Sequence, residues 1–578
     1  MTSDSTQTSW RKAAALIFVL AALIMAAILF WVGSWLTIWF DEWNFIFGRQ
    51  TLSPDMFLVP HVDAFVAVPA AVYYVVLHVW GLSSYYPLLI ADWLAHFACV
   101  GLLGLIVSRK SGVLVGLMAA LSLLFLGSAF EALLQPFQMQ YLFSVAGGLL
   151  ALVALDRESR GKGHYALAAV ALLAAIASSG VGPIMAGMVL VWALLRRDRP
   201  AVAIAALALG VYGLWYIGWQ AHLSRVDGWV ENLPNVPIEL LYGLGAGVSG
   251  VMGLPPARFA WLGLVFGAGL VLIALWRGLR PTPLAIGAAL ALVAEFGFQA
   301  VFRGAFGIEH GARSAYMYPA AVLIWLAVAG TLGDRLDPRR WTNGRRRFVP
   351  LLVGLLIVPM AFGNMVQLTL AANAMRPLRL TELRELALMV QLRDVPGLAL
   401  DVAPDADLLP QVTARRYFEA IDRFGTPQIP NHWPADYQGQ DPSDNSALNA
   451  LALRLLGGAI AIGPAGDPGP SAPTLTVAAG TSASDDAAAC TLLTTTSDRA
   501  EAAWVPPASG VAMGLAGSAE VQLFIGLYAP GDVPVETTVL AALQRGETVW
   551  LPVLPESHHW TLTLRVSGDT TVRICSRR

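Results

Sequence analysis

From Arg11 to Phe45 the chain reads RKAAALIFVLAALIMAAILFWVGSWLTIWFDEWNF: two basic residues, an apolar run from Ala13 to Phe40, then Asp41-Glu42 set between aromatic residues. The run is too long for a signal-peptide core and ends in no small-x-small cleavage pattern, so it reads as a retained membrane span. Positive charge stays on the cytoplasmic side of short loops, which places Arg11 and Lys12 in the cytoplasm and Asp41 to Asp63 outside.

The same pattern recurs along the chain. Apolar runs near 85–108, 112–130, 139–155, 165–178, 181–195, 201–219, 259–276, 282–302, 315–333 and 348–370 bring the expected number of spans to eleven. Basic joints lie at Arg109-Lys110, Asp156 to Lys162, Arg196 to Arg199, Arg277 to Arg280 and Arg335 to Arg347. All five fall in the cytoplasm if the run 64–81, with Tyr73, Tyr74 and Trp80, lies in the interface instead of crossing.

With 56% hydrophobic and 13% charged residues, an ordinary soluble enzyme is excluded. A net charge of −2 gives no reason to expect a nucleic-acid partner. Only Lys12, Lys110 and Lys162 among the 37 basic residues are lysines, a composition that points to a GC-rich bacterial genome. The fold class is therefore an α-helical polytopic membrane protein, 1–370, whose external first loop is 41–84.

After Leu370 the character changes. Asn373 to Leu392 has an amphipathic helical pattern, Asp401 to Asp444 is rich in Pro and Asp, and Ala519 to Tyr528 and Trp560 to Ile574 alternate as strands do. Residues 371–578 read as an exported, β-rich domain, with Asp401 to Asp444 either an acceptor-binding surface or a tether. Cys490 and Cys575 both fall there and are expected to form a disulfide, whereas Cys99 lies in an apolar span.

Ionisable residues near hydrocarbon are costly and so are candidates for function. Asp41-Glu42 between Trp39-Phe40 and Trp43 stands first, since a semi-dry carboxylate suits a general base or a metal ligand; the bland alternative is a helix stop at the water interface. His61 in the same loop makes Asp41, Glu42 and His61 a candidate divalent-metal set, and Asp55 and Asp63 read as solvated. No cofactor motif fixes a metal, and the glycines of 243–253 lack the context of a nucleotide loop.

Taken in order, an acidic pair after span one, a long first loop with an interfacial helix, the run Pro69 to Arg109 (PAAVYYVVLHVWGLSSYYPLLIADWLAHFACVGLLGLIVSR) and an exported C-terminal domain resemble the polytopic GT-C glycosyltransferases. The pattern is most similar to the protein O-mannosyltransferase and aminoarabinose transferase group. The resemblance covers residues 10–160 in order of features and the later spans more loosely. It implies a polyprenyl-phosphate sugar donor, a glycan, lipid or protein acceptor on the external face, and Asp41 or Glu42 as the catalytic acidic residue.

Such chemistry needs cations for the departing phosphate. FRGAFGIEHGARSAYMYP places Arg303, His310 and Arg313 outside, with Tyr316 following, against the charge rule; snorkelling of Arg303 and an Arg313–Glu309 pair are the structural alternatives. Gln138, with Gln135, is a candidate for sugar hydroxyls, Ser178-Ser179-Gly180 is a lesser one, and both turns are equally explained as helix caps. Residues 220–258, with Trp219, His222, Arg225, Asp227, Trp229 and Glu231, read as an external loop, either over the site or merely interfacial.

Two other functions compete. A transporter or flippase of lipid-linked glycans would carry ionisable residues near the bilayer midplane, as Asp92, His96 and Glu295 do. A noncatalytic envelope-assembly protein would act through its exported domain.

Overall fold

The computed structural model describes residues 2–157, 161–221, 229–333, 343–395, 397–403, 405, 408–427, 448, 451–452, 454–455 and the ten strands given below. The chain divides into two compact units, Met1–Thr37 with Gly48–Arg376, and Ile38–Phe47 with Pro377–Arg578.

The first unit is a helical bundle. Among the described residues, eight helices are long and apolar enough to cross a membrane: Lys12–Gly33, Tyr86–Ser111, Pro136–Leu155, Arg199–Gln220, Pro256–Trp276, Pro283–Phe306, Ser314–Leu332 and Gly354–Leu392. Val113–Ala129, Lys162–Ile176 and Val181–Leu195 coincide with the other three expected spans but are shorter. Their neighbours are long helices: Lys162–Ile176 packs on Met139–Leu155 and Arg199–Trp215. Ala67–Trp80 is also short and ends at Gly81, whose φ of 65° turns the chain where a side chain would be strained.

Charged contacts show which helix ends lie together. Asp156 accepts from Lys110 Nζ at 2.6 Å and from Arg196 Nη1 at 3.0 Å, uniting three of the expected basic joints. Leu284, just past the fourth, lines the same cleft as Arg109 and Lys110. This is the basic end of the bundle. The joint Arg335 to Arg347 lies largely outside the described residues. At the opposite end, Val68 N donates to Ala177 O at 2.9 Å and Trp215 Nε1 donates to Leu58 O at 2.8 Å, so the first loop sits there with the starts and ends of other helices.

Three boundaries differ from expectation. The first helix stops at Gly33 instead of Phe40, with Gly33 so close to the Trp93 ring that a Cβ would lie 2.8 Å from it, and helix Asp41–Gly48 starts afresh after Phe40, whose φ is 43°. The stretch 243–253 belongs mostly to helix Val236–Val251 and is not a loop: a Cβ on Gly245 would stand 2.0 Å from Ala260 O, so these glycines let Pro256–Trp276 approach backbone to backbone. His222, Arg225 and Asp227 lie outside the described residues. Finally, helix Asn343–Leu392 runs on through 370, and the two units divide within it between Arg376 and Pro377.

The second unit carries ten strands: β1 Ala461–Gly463, β2 Leu475–Val477, β3 Thr481–Asp485, β4 Cys490–Thr495, β5 Ala500–Trp504, β6 Val511–Ala516, β7 Val521–Gly526, β8 Thr548–Leu551, β9 Thr561–Val566 and β10 Thr571–Ser576. They form antiparallel sheets in the orders β1-β8-β6-β10-β4-β3 and β2-β5-β9-β7. In β10, Val572 and Ile574 are fully buried and alternate with the partly exposed Arg573, the period of a strand with one covered face. Cys490 and Cys575 face each other in the β4–β10 register and are joined by a disulfide, their Cα atoms 4.3 Å apart.

Candidate functional site at the end of the bundle opposite the basic joints

The turn at His61–Ala64 closes by two backbone hydrogen bonds, His61 N to Ala64 O at 3.1 Å and Ala64 N to His61 O at 3.0 Å. It presents Asp63, which is not the solvated residue expected. Asp63 forms an ion pair with Arg303, at the C-terminal end of helix Pro283–Arg303, and accepts from Gln220 Nε2 at 3.3 Å. Each member of the pair keeps about a third of its side chain exposed, Arg303 30% and Asp63 33%.

Between Arg303 and helix Ser314–Leu332 the chain makes two tight turns, with Gly307 at φ 93°. They bring His310 Nε2 within 3.1 Å of the Tyr316 hydroxyl and stack His310 on Phe306 at 5.2 Å. The Tyr316 ring meets Tyr141 edge-on, with centroids 6.4 Å apart. Arg313 is paired with Glu131 at 3.4 Å, not with Glu309 as the alternative reading had it. Glu131 is held in place by the helix start: its other oxygen accepts from Ala315 N at 2.9 Å, and Glu131 N donates to Ser314 Oγ at 3.0 Å.

Burial, together with the positive charges of Arg313 and Arg303, pushes the His310 pKa down to about 4, so the ring is neutral at pH 7. Burial opposes the Arg313 charge, but Glu131 more than offsets it and raises the pKa of the guanidinium. The sequence candidates Arg303, His310, Arg313 and Tyr316 are therefore one cluster: two guanidiniums, a neutral imidazole and a phenol. Such a group can bind an anion with several oxygens.

His61 packs edge-on against Phe137 at 4.8 Å. Burial and the nearby Arg49 charge lower its pKa to about 4. Arg49 is itself buried and donates to Val59 O at 3.0 Å. A fixed cation beside His61 opposes a bound metal ion, and among the described residues no three His, Cys, Asp or Glu stand where they could hold one. Asp41 and Glu42 belong to the second unit and His61 to the first. Gln138 is buried and faces Gln140 at 3.5 Å. Ser179 bonds Ser144 at 2.8 Å, and Ser178 bonds Ala174 O at 2.6 Å, the packing roles allowed for that turn.

In the second unit, Asp41 and Glu42 begin helix Asp41–Gly48, where carboxylates favour the positive end of the helix dipole. Glu42 is 1% exposed and its Oε2 accepts from Trp39 N at 2.9 Å, which makes it a brace for its own helix start; Asp41 is partly exposed. Trp43, fully buried, donates through Nε1 to Glu382 at 2.6 Å and meets Tyr417 edge-on. The buried Arg379 lies over the Trp39 ring at 5.8 Å.

Glu131, Arg49, Gln220 and Tyr141 were not singled out by the sequence. Arg49, a lone cation in an acidic loop, carried a usable signal. Gln220 did not, since its partner is 157 residues away.

No protein-family model matches this sequence, and no curated protein is similar to it. Two solved structures are similar to the chain, both of ArnT from Cupriavidus metallidurans. The form bound to undecaprenyl phosphate is 16% identical, with a TM-score of 0.43 over 73% of this chain and 86% of that one. The apo form is 16% identical, with a TM-score of 0.44 over 72% and 85%. A likeness at this level carries no weight for activity, which rests on the chain's own residues.

Proposed function

We propose that this chain is a bacterial inner-membrane glycosyltransferase of GT-C type, moving a sugar from a polyprenyl-phosphate donor to a cell-envelope acceptor on the external face. The observation that carries the reading is the gathering of Arg303, Arg313, neutral His310 and Tyr316 at the bundle end away from the basic joints. By the charge rule the basic end faces the cytoplasm, so this cluster and the C-terminal domain are external and the N-terminus is cytoplasmic.

In this reading the acceptor oxygen bonds to the anomeric carbon as the bond from that carbon to the phosphate oxygen breaks. Arg303 and Arg313 take the charge that develops on the phosphate, in exchange for their carboxylate partners. The family resemblance assigns the acceptor proton to the acidic pair, Asp41 or Glu42. No metal is required in this scheme.

Mass spectrometry of envelope glycans and polyprenyl-phosphate sugars tests it in cells carrying wild type, Asp41→Asn, Arg313→Gln or no protein. Donor accumulation with a missing glycan in both variants, at wild-type protein levels, is the expected result. Unchanged glycans in both variants, with a defect only in the null strain, overturn it. That outcome favours a transporter, supported by the full burial of Asp92, His96 and Glu295 within spans, or an assembly protein.

A further inference from the structure

Helix Ser314–Leu332 contains Pro319 close to its start. Proline has no N–H, so the hydrogen bond that would tie residue 319 to Ala315 O is missing, and the helix behind holds its first turn, Ser314 to Tyr318, less firmly. That turn serves the anion cluster: Arg313 is its N-cap residue, and Tyr316, whose hydroxyl meets His310, lies on it. Other helices hold the turn from two sides. The first support is Glu131, which accepts from Ala315 N, donates through its own N–H to Ser314 Oγ and pairs with Arg313.

The second support is His96, in helix Tyr86–Ser111. Its Nδ1 lies 2.9 Å from the Tyr318 hydroxyl, which is also 3.5 Å from the His96 backbone oxygen. Its Nε2 lies 3.3 Å from Leu124 O, the last carbonyl of helix Val113–Leu124 and one of those that a helix end leaves without an intrahelical partner. A carbonyl oxygen only accepts, so Nε2 donates there and the imidazole is fixed at both nitrogens. Both side chains are fully buried, where no solvent can stand in for a lost partner. Leucine and phenylalanine would fill the same space in hydrocarbon at lower cost, so the polar pair is explained by the bond it makes. We infer that His96 and Tyr318 are positioning residues for the anion cluster, a role that rests on reading that cluster as a phosphate site: their bond sets the turn that carries Arg313 and Tyr316. Beyond Pro319 the same helix makes a comparable bond, Trp325 Nε1 donating to Ser122 Oγ at 3.1 Å, which holds the helix but not its first turn.

Titration of the full chain in detergent with undecaprenyl phosphate, beside hydrogen exchange of residues 313–318, tests this. Tyr318→Phe removes the hydroxyl and keeps the ring. It is expected to lower protection of 313–318 and to weaken binding about three- to tenfold, the scale of one hydrogen bond between membrane helices. Ser122→Ala, which removes the bond beyond Pro319, is expected to change neither. His96→Leu/Tyr318→Phe is expected to lose no more than His96→Leu alone, because both substitutions break the same bond. Unchanged protection in Tyr318→Phe overturns the assignment. So does equal loss in Ser122→Ala, which would mean that any buried bond of this helix steadies the turn, or lower protection with unchanged binding, which would mean that the turn does not set the cluster. A wild type that binds no undecaprenyl phosphate overturns the phosphate reading itself, and the exchange measurement, which needs no ligand, tells that failure from the others.

Discussion

The two ends of the bundle use the same ions in opposite proportion. At the basic end Lys110 and Arg196 share Asp156, and cations remain in excess. At the other end Arg303 has Asp63, Arg313 has Glu131, and His310 is kept neutral. At the one end positive charge is left unbalanced; at the other each of these guanidiniums is matched by a carboxylate from a different loop. Partly exposed pairs of this kind contribute only about 0–1 kcal/mol. A phosphate can therefore compete with Asp63 and Glu131 for the two guanidiniums at little cost, so these ion pairs are compatible with anion binding.

The largest test of this contrast is the double variant Arg303→Gln/Arg313→Gln. Transfer is expected to fall by at least about 100-fold, the scale of losing charge stabilisation at a reacting centre, while Arg277→Gln/Arg280→Gln at the basic end leaves it unchanged. Equal losses would erase the distinction between the ends. Next in size, Gly245→Ala forces a methyl group against Ala260 O and is expected to cost about 1–3 kcal/mol in thermal unfolding. Gly187→Ala, with open space around its Cβ, is the control and should match wild type.

Acid should loosen one end before the other. His310 has a folded pKa of about 4 against 6.5 when unperturbed, so between these values the unfolded chain binds more protons and stability rises with pH. Its contribution is complete above pH 6.5 and is lost as pH falls towards 4, and His61 acts in the same direction. Hydrogen-exchange protection factors, taken relative to the intrinsic rate at each pH, are expected to fall from pH 7 to 4 around 304–316 in wild type, less so in His310→Gln, and not around 106–111. The smallest effect is a few-fold tightening of polyprenyl-phosphate binding in Asp63→Asn, read by titration, because Arg303 then has no carboxylate to exchange. Weaker binding there would mean that Asp63 positions the site instead of masking it.

Much of the bundle was legible because membrane spans are written locally: apolar length and basic joints placed the helices, and Gly81 ended the short one. What escaped depended on distant partners. Gly243 to Gly253 looks like a loop until Ala260 and Leu264 are set against Gly245, since a glycine gives no local sign whether it bends a chain or admits a neighbour. Within the candidate site, Arg303, His310, Arg313 and Tyr316 lie close in sequence and were readable together. Asp63 was dismissed as solvated because its partner is 240 residues away. That Glu42 accepts from Trp39 N was likewise not written in the local pattern.

The strand order carries a consequence for biogenesis. β10 lies between β6 and β4 in the middle of its sheet, yet it is the last of the described strands to be synthesised. Until it arrives, β4 and β6 each present an unpaired edge, open to wrong partners. The six-stranded sheet therefore closes only after residue 576 has been synthesised, and the Cys490–Cys575 disulfide can form only once the 85 residues that separate the two cysteines have been made.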